Sequence, residues 1–136
     1  MDQTMPKTCL KLRPGQTYAG KQGFNYFEGI ARETTGSQAI CMHLLTVPPG
    51  GRAKAHKHAT HETAIYVISG SAVMYWGESL EHCMETNAGD LIYIPADVPH
   101  LPLNPGDEPA QAVIARTDPH EQESVVLLPH LDALVP

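Results

Sequence analysis

His56 and His58 are two residues apart, and on a β-strand residues at that spacing project from the same face. Two imidazoles one strand repeat apart are placed to bind a single divalent metal. Glu62 follows closely and His100 lies further along the chain, so together they can complete a mixed nitrogen and oxygen shell. Such a shell suits iron, manganese, zinc, nickel or copper, whereas calcium and magnesium prefer oxygen donors. The residues predict one divalent transition metal held by His56, His58, Glu62 and His100.

The surrounding spacing is more specific. Gly50 is followed by five residues, His56-Lys57-His58, three residues, Glu62, and seven residues to Gly70. This resembles the first motif of the cupin superfamily, G-x5-H-x-H-x3,4-E-x6-G. Gly89 is followed by five residues, Pro95-Ala96-Asp97, two residues, His100, three residues and Asn104. That resembles the second motif, G-x5-P-x-G-x2-H-x3-N, and the short interval between Gly70 and Gly89 is similar to that of small single-domain members. Both motifs in order are far more specific than either alone. The resemblance implies an antiparallel jelly-roll β-barrel, a metal inside it, and frequent dimers.

Two positions depart from the pattern. Gly70 lies where the longer form of the first motif places it, yet Glu62 comes one residue early and Thr63 holds the expected position. A bulge would bring Glu62 into register; otherwise His61 takes its place in the shell. We expect Glu62 as the ligand, with His61 turned away, because adjacent strand residues point oppositely. Asp97 stands in place of the second motif's glycine, which predicts a positive φ there.

The elements that must position these residues read as all-β. Twelve prolines and eleven glycines punctuate short alternating runs and are not gathered into a linker. Strands are predicted over Thr8–Arg13, Phe24–Arg32, Gln38–Val47, the His56 segment, Thr63–Ser69, Ala72–Trp76, Leu80–Glu85, Leu91–Ile94 and Ala110–Thr117. Gly70-Ser71 reads as a two-residue hairpin turn. No helical period exceeds two turns. The expectation is one domain over residues 1–136, an antiparallel barrel or jelly roll of six to eight strands, with motifs at 50–70 and 89–104. The tail, 118–136, holds the apolar runs Val125–Leu128 and Leu131–Val135. It must be covered, and we expect it to dock on a second subunit of a homodimer.

Composition narrows the function classes. Apolar residues make up 42% and charged residues 18%, as in a globular protein. Nine Lys and Arg against fifteen Asp and Glu give a net charge of −6 without any basic run, which disfavours nucleic acid and anionic membranes. No apolar run approaches a membrane span. The first residues lack the apolar stretch of a secretory signal, and three widely spaced cysteines (Cys9, Cys41, Cys83) fit free, buried thiols in a reducing cytoplasm.

Further residues bear on a small-molecule substrate. Tyr66 shares strand parity with Glu62, so with Glu62 facing the interior Tyr66 should face it too, and core packing is the expectation. Arg116 ends a late apolar strand, where an inward guanidinium would clamp a carboxylate or phosphate, but a strand-end charge in solvent is the expectation. His43 lies among apolar residues and reads as part of a wall, while His82, His120 and His130 read as surface. Three function classes fit: an oxygenase with a redox-active metal, an isomerase, epimerase or lyase with a Lewis-acid metal, and a ligand-binding module without catalysis. The oxygenase is preferred. His61, Tyr66 and Arg116 are the candidates for a catalytic role.

Overall fold

The protein is described by a computed structural model covering residues 7–13, 17–19, 25–120 and 125–136. In chain order its elements are β1 (Thr17–Ala19), β2 (Asn25–Ile30), the single turn α1 (Arg32–Thr35), β3 (Cys41–Val47), β4 (His56–His58), β5 (Thr63–Ser69), β6 (Ser71–Trp76), β7 (His82–Asn87), β8 (Leu91–Ile94), β9 (His100–Leu103), β10 (Ala110–Arg116), β11 (Val125–Leu127) and α2 (Pro129–Asp132). The strands form two antiparallel sheets, in the orders β1-β2-β3-β10-β5-β8 and β11-β4-β9-β6-β7. This is a jelly roll, and its eleven described strands exceed the six to eight expected.

Alternation builds the interior. On β3, Cys41, His43, Leu45 and Val47 are buried while Met42 and Thr46 face outward. On β10, Ala110, Ile114 and Arg116 are buried. Leu45, Val47, Ala53, Ala110 and Ile114 pack as one core cluster. Ala55, Leu80, Leu101, Leu131 and Val135 form a second. Burying a leucine as completely as Leu101 contributes about 1.5–3 kcal/mol, so these clusters fix where the strands sit.

Several expectations need correction. Residues 8–13 are exposed and form no strand. The strand expected over Phe24–Arg32 ends at Ile30, because Ala31 opens a helical turn that Gly36 closes in the left-handed region; Phe24 lies outside the described residues. Gly70 joins no hairpin, since β5 and β6 belong to different sheets. At φ 77°, Gly70 turns the corner between them where a Cβ would stand 2.7 Å from the Ala110 Cα, so the turn chemistry was real and its partner misjudged. Cys41 is buried as expected, but Cys9 and Cys83 are exposed.

The tail folds back on its own barrel. β11 pairs with β4, and Leu131 and Val135 join the second core cluster. Arg52 donates from Nη1 to the Val135 and Pro136 carbonyls at 2.9 and 3.0 Å, and from Nη2 to that of Asp132. The Asp132 Oδ1 in turn accepts from the Ala55 amide at 2.7 Å. The tail therefore clamps the segment that leads into β4. No helix of the described residues is long and apolar enough to cross a membrane.

Candidate metal centre

The motif glycine Gly50, its neighbour Gly51 and the motif asparagine Asn104 bring the histidine-bearing segments together. Gly50 donates its amide to the Asn104 carbonyl and Asn104 donates to that of Gly51, both at 2.8 Å. The Asn104 side chain, 1% exposed, donates to the Val47 and Glu108 carbonyls and accepts from the Gly106 amide. Asp97 adopts φ 66°, as the motif predicts, and its amide reaches back to the His58 carbonyl at 2.8 Å. Its carboxylate pairs with Lys57 at 2.8 Å.

These ties set β4 against β9 with His56 opposite His100. His58 follows on the same face of β4, and all three rings are buried. Ring centroids lie 4.3 Å apart for His56 and His100, 5.4 Å for His56 and His58, and 5.6 Å for His58 and His100. One nitrogen from each ring comes within 4.8 Å of the others. Burial, foremost, disfavours protonation of all three. It pushes His56 and His58 well down, with neighbouring imidazoles and the Arg116 cation adding to the effect, and His100 down to about 4, with Arg116 adding. Neutral imidazoles offer lone pairs. Three of them converging without a proton between them fit a divalent transition metal.

His56 and His100 also line an almost wholly apolar cavity of about 80 Å³ between the sheets, with Ile65, Val67, Ile94 and Ile114 on its walls. Its polar members besides the histidines are Thr63, Thr86, Gln111 and Arg116. Arg116 is 4% exposed, and its Nε donates to Thr63 Oγ1 at 3.1 Å. The expected solvated strand end does not hold. Arg116 shares parity with Ala112 and Ile114 on β10, which sends it inward.

The structure does not bring Glu62 to the three histidines. Glu62 is exposed on the outer side, sharing a hydrogen bond with the Tyr93 hydroxyl, and Thr63 faces the interior in its stead. Packing, then the Glu62 carboxylate, pushes the Tyr93 pKa up. His61 is half-buried and turned toward β10: its Nδ1 donates to the Thr117 carbonyl at 2.7 Å, and its Nε2 lies 3.8 Å from Asp118. Neither residue belongs to the cluster. Tyr66 keeps the parity of Glu62 and is 46% exposed on the outer face.

His43 is buried on the inner face of β3, as a wall residue, and burial followed by Arg116 pushes its pKa down to about 3. His82 stacks on Trp76, His120 meets Glu33 at 2.7 Å, and His130 is exposed. Thr63 and Thr86 were not singled out from the sequence. For Thr63 a signal existed: it occupies the position at which the longer motif form expects its acid.

Residues 43–116 match the cupin domain family. An uncharacterized protein of Methanocaldococcus jannaschii is 32% identical over 82 residues, spanning 60% of this chain and 63% of that protein. Oxalate decarboxylase OxdC of Bacillus subtilis is 42% identical over 76 residues, spanning 54% of this chain and 20% of OxdC. This chain thus spans less than two thirds of either curated relative. Among solved structures, a Bacillus subtilis oxalate decarboxylase with Mn(II) centres superposes with a TM-score of 0.67 at 28% identity, over 86% of this chain and 30% of that one. The polyketide cyclase RemF of Streptomyces resistomycificus gives 0.70 at 19% identity, over 89% of this chain and 86% of that one, a likeness of fold.

Proposed function

The chain belongs to the cupin domain family, and from that premise we propose that it is a metal-dependent oxygenase acting on a small molecule, its metal held by His56, His58 and His100. One observation supports this above others: three neutral, buried imidazoles converge beside an apolar cavity whose described lining includes no Asp, Glu, Lys or Tyr. Bound there, a redox-active divalent ion supplies the electron exchange with dioxygen that oxygenation needs. The protein's own part is to orient substrate and exclude water. The aliphatic walls formed by Ile65, Val67, Ile94 and Ile114 do both, by covering any bound molecule with apolar surface.

A second reading, a lyase or isomerase, draws on the likeness to oxalate decarboxylase OxdC. Such reactions need a residue that takes and returns a proton. The cavity offers the hydroxyls of Thr63 and Thr86 and the amide of Gln111, none of which titrates near neutrality. Oxygen uptake after anaerobic reconstitution with ferrous iron, measured over a panel of diols, thiols and keto acids, separates the two. Substrate-dependent uptake that is lost in His58→Ala is expected. Turnover with manganese or zinc and no oxygen uptake would favour the second reading.

We also expect a homodimer. Tyr66, Ile68, Leu91 and Tyr93 stand exposed on the outer face of β5 and β8, and an apolar patch of this kind calls for cover. Sedimentation as a monomer at micromolar concentration would refute it.

A further inference from the structure

Arg116 is a buried cation with no carboxylate in ion-pair contact among the described residues. Its Nε is engaged by Thr63, while its Nη1 is buried and donates to no group. The ion pairs among the described residues are Lys57–Asp97, His61–Asp118 and His120–Glu33, and none reaches Arg116. A guanidinium stays charged in any protein setting, so it cannot escape the cost of burial by losing its proton. Leaving such a charge unpaired in an apolar interior is expensive, and proteins retain the arrangement where a ligand completes it.

The position gives that cost a purpose. Arg116 and Thr63 line the same cavity as His56 and His100. A dication on the three histidines would add to the same excess of positive charge. No carboxylate stands among the described residues lining that cavity, so a substrate anion would balance the charge there.

We propose that Arg116, oriented by Thr63, is the anchor for the carboxylate of a small monocarboxylic acid with an apolar body. This rests on the reading of the cavity as the substrate site. Carboxylate is favoured over phosphate because one guanidinium edge is open and the wall is mostly apolar, with the Thr86 hydroxyl already donating to the Ala72 carbonyl, which leaves few donors for a phosphate's remaining oxygens. A cavity of about 80 Å³ has room for about half a dozen waters, which matches an acid of similar heavy-atom count.

The test is calorimetric titration with acetate, butyrate, hexanoate and benzoate, each against its primary amide, which keeps the shape and removes the charge. Metal-loaded wild type should bind at least one acid, at least tenfold more tightly than its amide. Arg116→Gln should erase that preference while retaining stoichiometric metal, and Arg116→Lys should keep part of it. Metal-free wild type should still prefer the acid, more weakly, so that failure of the metal assignment shows as absent metal and failure of the anchor as absent preference. Stability offers an independent readout. Arg116→Met should melt higher than wild type without ligand, because an uncompensated buried charge is gone. Equal binding of acids and amides by wild type, or an unchanged preference in Arg116→Gln, would overturn the proposal.

Discussion

His56 stands opposite His100 across the β4–β9 pair, and each ring fixes its Nδ1 on a carbonyl two residues upstream, Lys54 at 2.7 Å and Val98 at 3.0 Å. A carbonyl only accepts, so both rings hold their proton on Nδ1 and present the lone pair of Nε2. The same backbone contacts hold the rings in place before any metal arrives. Replacing His56, His58 or His100 by Ala should therefore abolish stoichiometric metal, read by elemental analysis of the purified protein, with the β-rich circular dichroism retained. Without metal, each variant should melt close to wild type. With metal at a hundredfold excess over its Kd, wild type alone should gain about 2.7 kcal/mol.

How much of this was legible beforehand depends on where parity could be counted. His56 and His58 share one strand, so their common face followed from period two, and the spacing of the second motif supplied His100. Glu62 is the last residue of the break at residues 59–62, where β4 has ended and β5 has not begun, and Thr63 lies just beyond it. Counting does not carry across such a break, and a slip of one residue reverses every side chain. The register of β5 is set by its pairing with β10 and β8, partners that lie far away in sequence. Arg116 was more accessible than its expected solvated position suggests: Ala110, Ala112, Ile114 and Arg116 alternate on one face, and the apolar members mark that face as inner. The tail's choice between its own barrel and a partner turned on Arg52, Ala55 and Asp132, contacts spanning about eighty residues that no local pattern announces.

Acid should destabilise the metal-free protein. Burial, foremost, holds His43 down to about 3 and His100 down to about 4, against 6.5 for an ordinary histidine. The unfolded chain therefore binds protons at these sites before the folded one does. Their contribution is complete above about pH 6.5 and declines as pH falls toward 4 and then 3. Each group alone weakens folding by about 1.4 kcal/mol per pH unit within that window. Urea unfolding at pH 7, 6 and 5 should show a midpoint that falls progressively, and His43→Gln should flatten the slope. An invariant midpoint would contradict the burial of neutral imidazoles.

The C-terminal turn should matter to the metal although none of its residues is near a ligand in sequence. Leu131 is 5% exposed in the cluster with Ala55 and Leu101, and β11 pairs Val125 with His58 and Leu127 with His56. Leu131→Ala removes packing at a cost of about 2–5 kcal/mol. Arg52→Ala releases the carbonyls of Asp132, Val135 and Pro136 from their donor. Both variants should lower Tm, and both should weaken metal binding by loosening the strand that presents His56 and His58. Unchanged metal affinity in a clearly destabilised Leu131→Ala would show that β4 is held by β9 alone.

The outward turn of Glu62 makes the sharpest claim about the shell. Its carboxylate lies against Tyr93 on the exterior, and His61 is tied to Thr117, so neither residue should touch the metal. Glu62→Gln and His61→Asn should each retain full metal content. In the first, the Tyr93 hydroxyl should titrate closer to its ordinary value of 10, because the carboxylate that helps to raise it is gone. Thr63 is the residue that faces inward, where the longer motif form places an acid, and it touches Arg116. Thr63→Glu should then install a carboxylate in the cavity, pair it with the guanidinium, and tighten metal binding tenfold or more by adding an oxygen donor and a compensating charge. The same substitution should weaken binding of small acids, since the new carboxylate occupies their anchor. Loss of metal in Glu62→Gln, with no gain in Thr63→Glu, would mean that β5 is shifted by one residue in solution and that Glu62 faces the histidines after all.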